Sequence, residues 1–113
     1  MGRKLKIDTG EQKLGPYTPG INVKDHIWLS GQIDIDSGDD IESQTIGTLA
    51  KIDDLLAAAN SSKSDLVKVT VLMTDIGFYS KINDVYSDWL GDTIPPARAA
   101  YEVSNLPGGA LVE

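Results

Sequence analysis

Two stretches of the chain carry apolar residues at the three- and four-residue spacing that is typical of one face of a helix. In the first stretch this stripe consists of Ile41, Thr45, Leu49, Ile52, Leu56 and Ala59. Asp39 or Asp40 precedes it and can cap a helix, and the polar residues 60–62 favour a turn after it. In the second stretch the stripe consists of Phe78, Ile82, Val85, Tyr86 and Trp89, with Gly91 following as a stop signal. The pattern therefore predicts two helices.

Alternating or β-branched stretches predict strands before, between and after these helices. The predicted strands include residues 26–33, 65–73, 97–103 and 110–113. Pro95 and Pro96 prevent a helix and start the third of these stretches. Within it, Arg98, Ala100 and Glu102 share one face, because side chains alternate along a strand.

The order of these elements, β-β-α-β-α-β-β, predicts a single α+β domain over residues 1–113. In such a domain one mixed sheet carries both helices on one face. The other face of the sheet then has no cover, and an uncovered apolar face usually packs against another subunit. We therefore expect an oligomer.

The composition narrows the classes of function. Ten basic and seventeen acidic side chains give a net charge of -7, which repels a phosphate backbone unless a basic patch overrides it, and the sequence has no such patch. The basic stretch 3–6 is too short for a secretory signal, and no apolar run approaches the ~20 residues of a membrane span. We predict a cytoplasmic protein with neither a nucleic-acid partner nor a membrane partner.

The sequence indicates neither a metal site nor a cofactor site. The chain has no cysteine, and His26 is its only histidine, so it offers no zinc site and no Ser-His-Asp triad. The acidic run 34–40 lacks the glycine and glutamate that a calcium loop needs at its sixth and twelfth positions, where this chain has Asp39 and Thr45. There is no Gly-x-Gly-x-x-Gly or Walker loop for a nucleotide.

Several motifs in combination resemble the RidA (YjgF-type) family, over roughly residues 14–113. They are Gly15-Pro16-Tyr17, Ser30-Gly31-Gln32-Ile33, Val69-Thr70-Val71-Leu72-Met73-Thr74-Asp75, Asn83-Asp84-Val85-Tyr86 and Pro96-Ala97-Arg98-Ala99, followed by Glu102-Val103 and Leu106-Pro107. The resemblance implies a chorismate-mutase-like fold and a homotrimer with three clefts at the subunit contacts. It also implies cofactor-free hydrolysis of enamine and imine derivatives of amino acids, such as 2-aminoacrylate, to 2-oxo acids and ammonia.

The resemblance assigns the two central roles to Arg98 and Glu113. Arg98 would bind the substrate carboxylate, which its planar guanidinium matches, with help from backbone groups near Gly31 and Ala100. Glu113, with fourteen residues between it and Arg98, would position and activate water and move protons, as one carboxyl of near-neutral pKa can.

The resemblance further implies that Tyr17 and Ser30 line the cleft and that Asn83 supplies an amide contact. Each candidate residue also has an ordinary interpretation. A strand arginine or a terminal glutamate is most often solvated. A tyrosine after Gly-Pro often packs, a serine at a strand end often bonds to the backbone, and a helical asparagine is usually exposed. The sequence leaves both interpretations open.

Two departures from the family pattern change the expectation. Many relatives have a cysteine at the position of Ala100, so a thiol contributes nothing here. Relatives also continue for several residues of apolar strand after the position of Glu113. We therefore expect Glu113 to be poorly held and deamination to be weak, because strand ends fray unless they are tied down.

Two other functions compete with deamination. One is a non-catalytic family member that binds small carboxylates, such as a 2-oxo acid, in the same cleft, and this function needs Arg98 but not Glu113. The other is an activity on nucleic acid, which would need a basic stripe or a stacking platform. The net charge of -7 argues against the second.

Overall fold

Seven regular elements and four short 3-10 turns follow one another along residues 3–113, the part of the chain that the computed structural model describes. The strands are β1 (Leu5–Ile7), β2 (Gly20–Val23), β3 (His26–Leu29), β4 (Lys68–Met73) and β5 (Ala97–Glu102). The helices are α1 (Ile41–Ala58), between β3 and β4, and α2 (Tyr79–Leu90), between β4 and β5.

Both predicted helices are confirmed. The carboxylate of Asp40 caps α1 by accepting a hydrogen bond of 2.9 Å from the backbone N–H of Ser43. The second helix, α2, ends at Gly91, whose φ of 57° is a left-handed value that favours glycine. Neither helix within residues 3–113 has the length and apolar character needed to cross a membrane.

The first three strands form an antiparallel sheet in the order β1-β2-β3. Lys24 and Asp25 join β2 to β3, and both have a positive φ, 49° and 63°, which suits a two-residue hairpin turn. A Cβ added to Gly20 would meet Cδ2 of Leu29 at 2.9 Å and Cβ of Ile7 at 3.0 Å, so the close approach of these strands requires glycine. The sequence predicted two strands before α1, whereas the structure has three. The additional strand was missed because the three residues of β1 are too few to show a periodic pattern.

The other sheet pairs β4 with β5 in parallel, Val69 lying opposite Arg98 and Val71 opposite Ala100. Alternate residues of β4 point toward the two helices and build the core with them. The buried members of its two clusters are Val71, Met73, Ile82 and Val112, and Leu49, Tyr86 and Leu90. Both helices thus cover the same face of β4, as predicted.

The predicted last strand, residues 110–113, is reduced to a single bridge between Met73 and Val112. Beside it, Leu72 and Glu113 exchange two backbone hydrogen bonds of 2.8 Å. Among residues 3–113, this segment bonds to β4 but makes no backbone hydrogen bond to β3. The α+β class with two helices is confirmed, but the predicted single mixed sheet is divided into a three-stranded sheet and a two-stranded sheet.

Candidate active site

Glu113 is a half-buried carboxylate that packs directly on the backbone of Gly31. A Cβ added to Gly31 would overlap the carboxylate of Glu113, so this contact requires glycine. Burial raises the pKa of Glu113 above its ordinary value. A carboxyl with a raised pKa holds its proton to a higher pH than a solvated carboxyl does, which favours a role in proton transfer.

The backbone of Glu113 is held more firmly than the sequence led us to expect. Its N–H and its C=O both bond to Leu72, as described above. Pairing at both backbone groups restrains a residue that would otherwise fray. The expectation of a poorly held Glu113 is therefore not met in this structure.

Ser30 fastens the loop before β2 to the end of β3. Its hydroxyl donates a hydrogen bond of 2.6 Å to the carbonyl of Thr18, and its N–H donates one of 2.8 Å to Pro19. The hydroxyl proton is therefore engaged with the backbone, which is the ordinary role of a serine at a strand end. Its oxygen retains the capacity to accept a hydrogen bond.

Tyr17 and Gly31 line the same cleft, which has a volume of about 260 Å³. The tyrosine side chain is 42% exposed, and its backbone N–H bonds to the carbonyl of Gly15 at 3.0 Å. A ring held in this way can contact a ligand in the cleft without leaving its loop. The cleft thus brings Tyr17 toward the residue on which Glu113 packs.

Arg98 is held against two tyrosine rings of α2 instead of extending into solvent. Its guanidinium carbon lies 5.5 Å from the ring centre of Tyr79 and 5.0 Å from that of Tyr86. Its Nη2 donates a hydrogen bond of 3.1 Å to the hydroxyl of Tyr79. These contacts exclude the interpretation of Arg98 as a freely solvated strand residue.

Asn83 lies on the same side of α2 as the two tyrosines. It follows Tyr79 by four residues and precedes Tyr86 by three, and residues at these spacings share one helix face. Its amide makes no side-chain hydrogen bond to another group within residues 3–113. Asn83 therefore shares a helix face with the two tyrosines that contact Arg98.

Ala100 could offer a ligand only its backbone, since its side chain packs against the core. The N–H of Ala97 bonds to the carbonyl of Val67 at 3.0 Å, and the N–H of Val103 bonds to that of Met73 at 2.8 Å. Since N–H groups alternate in direction along a strand, those of Arg98 and Ala100 point away from β4. They lie at the outer edge of the two-stranded sheet, where they can bind an anion.

The structure sorts the predicted site residues into two groups. The first group is Tyr17, Ser30, Gly31 and Glu113, and the second is Asn83, Arg98 and Ala100. Arg98 and Glu113 lie on opposite sides of β4, two strand spacings apart, and their partners on β4 are three residues apart. Their Cα atoms are therefore separated by about 14 Å. Their side chains also point to opposite faces, because Arg98 pairs with Val69 and Glu113 with Leu72. One chain alone does not bring Arg98 and Glu113 together.

Sequence reasoning missed Gln44, a buried residue of α1 that holds the segment carrying Glu113. Its Nε2 donates to the carbonyl of Gly38, and its Oε1 accepts from the N–H of Leu111, both at 2.9 Å. The signal was present in the sequence, since Gln44 follows Ile41 by three residues and so falls on the core-facing stripe of α1. A polar residue at such a position needs partners, and here these partners fix the last residues of the chain.

These features define a small α+β protein with a half-buried carboxylate and a separately held arginine. The family profile described as Endoribonuclease L-PSP matches residues 10–113, and the chain belongs to this family. This finding, with the relatives below, confirms the resemblance to RidA proteins.

Individual relatives are similar in sequence to this protein over most of its length. A RutC family protein of Pyrococcus abyssi is 42% identical over 106 residues, which cover 88% of this chain and 83% of the relative. The 2-iminobutanoate/2-iminopropanoate deaminase of Bos taurus is 36% identical over 106 residues, covering 88% of this chain and 77% of the relative. The crystal structure of YyfA from Yersinia pestis, a member of the Rid protein family, has a TM-score of 0.90 at 42% identity, over 97% of this chain and 94% of that one.

Proposed function

We propose that this protein hydrolyses 2-imino acids and their enamine tautomers to 2-oxo acids and ammonia. The observation that carries the proposal is the half-buried carboxylate of Glu113, whose pKa is raised by burial and which packs on Gly31 beside a cleft. The name of the Bos taurus relative, 2-iminobutanoate/2-iminopropanoate deaminase, supports the same chemistry.

In the proposed reaction, Arg98 binds the substrate carboxylate through paired N–H donors. The outward N–H groups of β5 add further donors, of which that of Ala100 is one. Water attacks C2 of the imine and forms a C–O bond, while a proton passes to the nitrogen. The hydroxyl of this carbinolamine then loses its proton and becomes the carbonyl of the 2-oxo acid. The C–N bond breaks, and the nitrogen, which has gained this second proton, leaves as ammonia with the electron pair. Glu113 takes each of the two protons from oxygen and passes it to the nitrogen.

The proposed site lies between two copies of the chain. Because Arg98 and Glu113 of one chain are about 14 Å apart and on opposite sheet faces, the arginine that serves one Glu113 comes from a neighbouring copy. The family resemblance suggests that three copies assemble. Trp28 and Tyr101, which are 67% and 51% exposed, are large apolar side chains that such an assembly would cover. Light scattering at micromolar concentrations tests this assembly, and a stable monomer would contradict it.

Clearance of freshly formed 2-aminoacrylate tests the chemistry. A serine dehydratase supplies the enamine from serine, and ammonia release is followed with and without the protein. We expect release faster than spontaneous decay, and we expect Glu113→Gln to lose the acceleration while it still binds 2-oxobutyrate in calorimetry. Binding without acceleration by the parent would overturn the deaminase and identify a carboxylate-binding protein. Cleavage of RNA that is lost in Arg98→Lys would instead favour the activity named in the family description.

A further inference from the structure

Tyr79, the first residue of α2, contacts Arg98 through a directional bond. Its hydroxyl accepts from Nη2 of Arg98 at 3.1 Å, and its ring centre lies 5.5 Å from the guanidinium carbon. Tyr86 touches the same guanidinium with its ring only, because its hydroxyl is buried without a hydrogen-bond partner within residues 3–113. The two tyrosines therefore act on Arg98 in different ways.

A guanidinium carries five N–H donors in one rigid plane. Two ring contacts restrict where this plane lies, but rings attract a cation over a broad area and set its rotation poorly. A hydrogen bond at one nitrogen sets the rotation and leaves the other donors for a carboxylate. A side chain that is ordered before a ligand arrives does not lose conformational entropy on binding. The saving corresponds to an affinity that is about three- to tenfold higher.

We propose that Tyr79 is a positioning residue, whose hydroxyl orients the Arg98 guanidinium for a carboxylate ligand. This inference rests on the proposed function, in which Arg98 binds the substrate carboxylate. Tyr79 acts through Arg98 and does not itself touch the substrate. Sequence motifs do not indicate this role, since an aromatic residue at a helix start is most simply explained by packing.

Replacing Tyr79 with phenylalanine tests the proposal, because Tyr79→Phe keeps the ring and removes only the hydroxyl. Because Tyr79 is 42% exposed, we expect the variant to fold like the parent. We expect the Kd for 2-oxobutyrate, measured by calorimetry, to rise by about three- to tenfold. Tyr86→Phe is the matched variant, since it keeps the other ring and removes a hydroxyl that does not bond to Arg98. Its effect on Kd should be smaller.

A spectroscopic readout separates positioning from general destabilisation. In the parent, the Nε–H signal of Arg98 in proton–nitrogen spectra should be sharp, because the guanidinium is held. In Tyr79→Phe it should broaden or exchange faster with water, while backbone signals of the core remain in place. Unchanged binding and an unchanged Arg98 signal in Tyr79→Phe would overturn the proposal.

Arg98→Lys distinguishes failure of this inference from failure of the proposed function. If Arg98→Lys binds 2-oxobutyrate as tightly as the parent, the carboxylate role of Arg98 is wrong and the inference is wrong with it. If Arg98→Lys loses binding but Tyr79→Phe binds like the parent, only the role of Tyr79 is wrong.

Discussion

Replacing Gln44 with methionine tests how the segment that carries Glu113 is held. Methionine has a similar length and a similar helix propensity, so α1 and its packing should persist. The change removes both hydrogen bonds of Gln44 and leaves the carbonyl of Gly38 and the N–H of Leu111 without partners.

The expected loss of stability follows from these two unpaired backbone groups. An unpaired buried polar group costs about 1–3 kcal/mol. Gly38 and Leu111 are only half-buried, so water replaces part of each lost bond and the lower part of that range applies. We therefore expect the free energy of unfolding to fall by about 2–3 kcal/mol.

Urea denaturation at one fixed protein concentration measures this loss, since assembly would otherwise shift the apparent stability. Ala50→Met, at an exposed position of the same helix, is the control and should change the stability by less than about 0.5 kcal/mol. Hydrogen exchange adds local information, because the amides of Leu111 and Glu113 should exchange faster in Gln44→Met. A loss no larger than that of the control, with unchanged exchange at both amides, would refute the role of Gln44.

Three further predictions follow from single features of the site. Gly31→Ala places a Cβ on the Glu113 carboxylate and should abolish enamine clearance in a protein that still folds; full activity in that variant would show that the contact is dispensable. Within residues 3–113 the buried hydroxyl of Tyr86 has no hydrogen-bond partner. Its removal in Tyr86→Phe should leave the free energy of unfolding in urea unchanged or raise it by about 1 kcal/mol, whereas a clear loss would reveal a hydrogen bond that the described residues do not show. Because the folded pKa of Glu113 is raised, its stabilising contribution is complete below the ordinary value of 4.5 and is lost as pH rises through the folded value. Relative to Glu113→Gln, the parent should therefore lose stability as pH rises from 4.5, and parallel pH curves for the two proteins would contradict the raised pKa.

The parts of the fold that were predictable are those with a long repeated pattern. The apolar stripe of α1 runs over five turns, so a single polar residue within it does not obscure the helical spacing. The three-residue β1 has no comparable signal, and its pairing with β2 depends on contacts that no local pattern records. Whether the residues 110–113 join one sheet or two likewise depends on which strand edges lie within hydrogen-bond reach.

In the candidate site, too, some features could be predicted from the sequence and others could not. The motifs indicate Arg98 and Glu113 as candidate site residues, but they do not show that the two side chains point to opposite faces of the sheet. That fact comes from the register, which pairs Arg98 with Val69 and Glu113 with Leu72. The contact between Arg98 and the hydroxyl of Tyr79 was equally inaccessible, since the two residues lie on different elements and meet only through packing.

The central claim is that each site combines Glu113 of one copy with Arg98 of another. Mixing two inactive variants tests it directly. Arg98→Lys and Glu113→Gln are unfolded together in equal amounts, refolded, and checked by native mass spectrometry for mixed oligomers. Each variant refolded alone is the control.

In a random mixture, a site receives an intact Glu113 from one copy with probability one half and an intact Arg98 from its neighbour with the same probability. Enamine clearance should therefore return to about a quarter of the parent level, although neither variant is active alone. Mixed oligomers that remain inactive would contradict a site shared between copies.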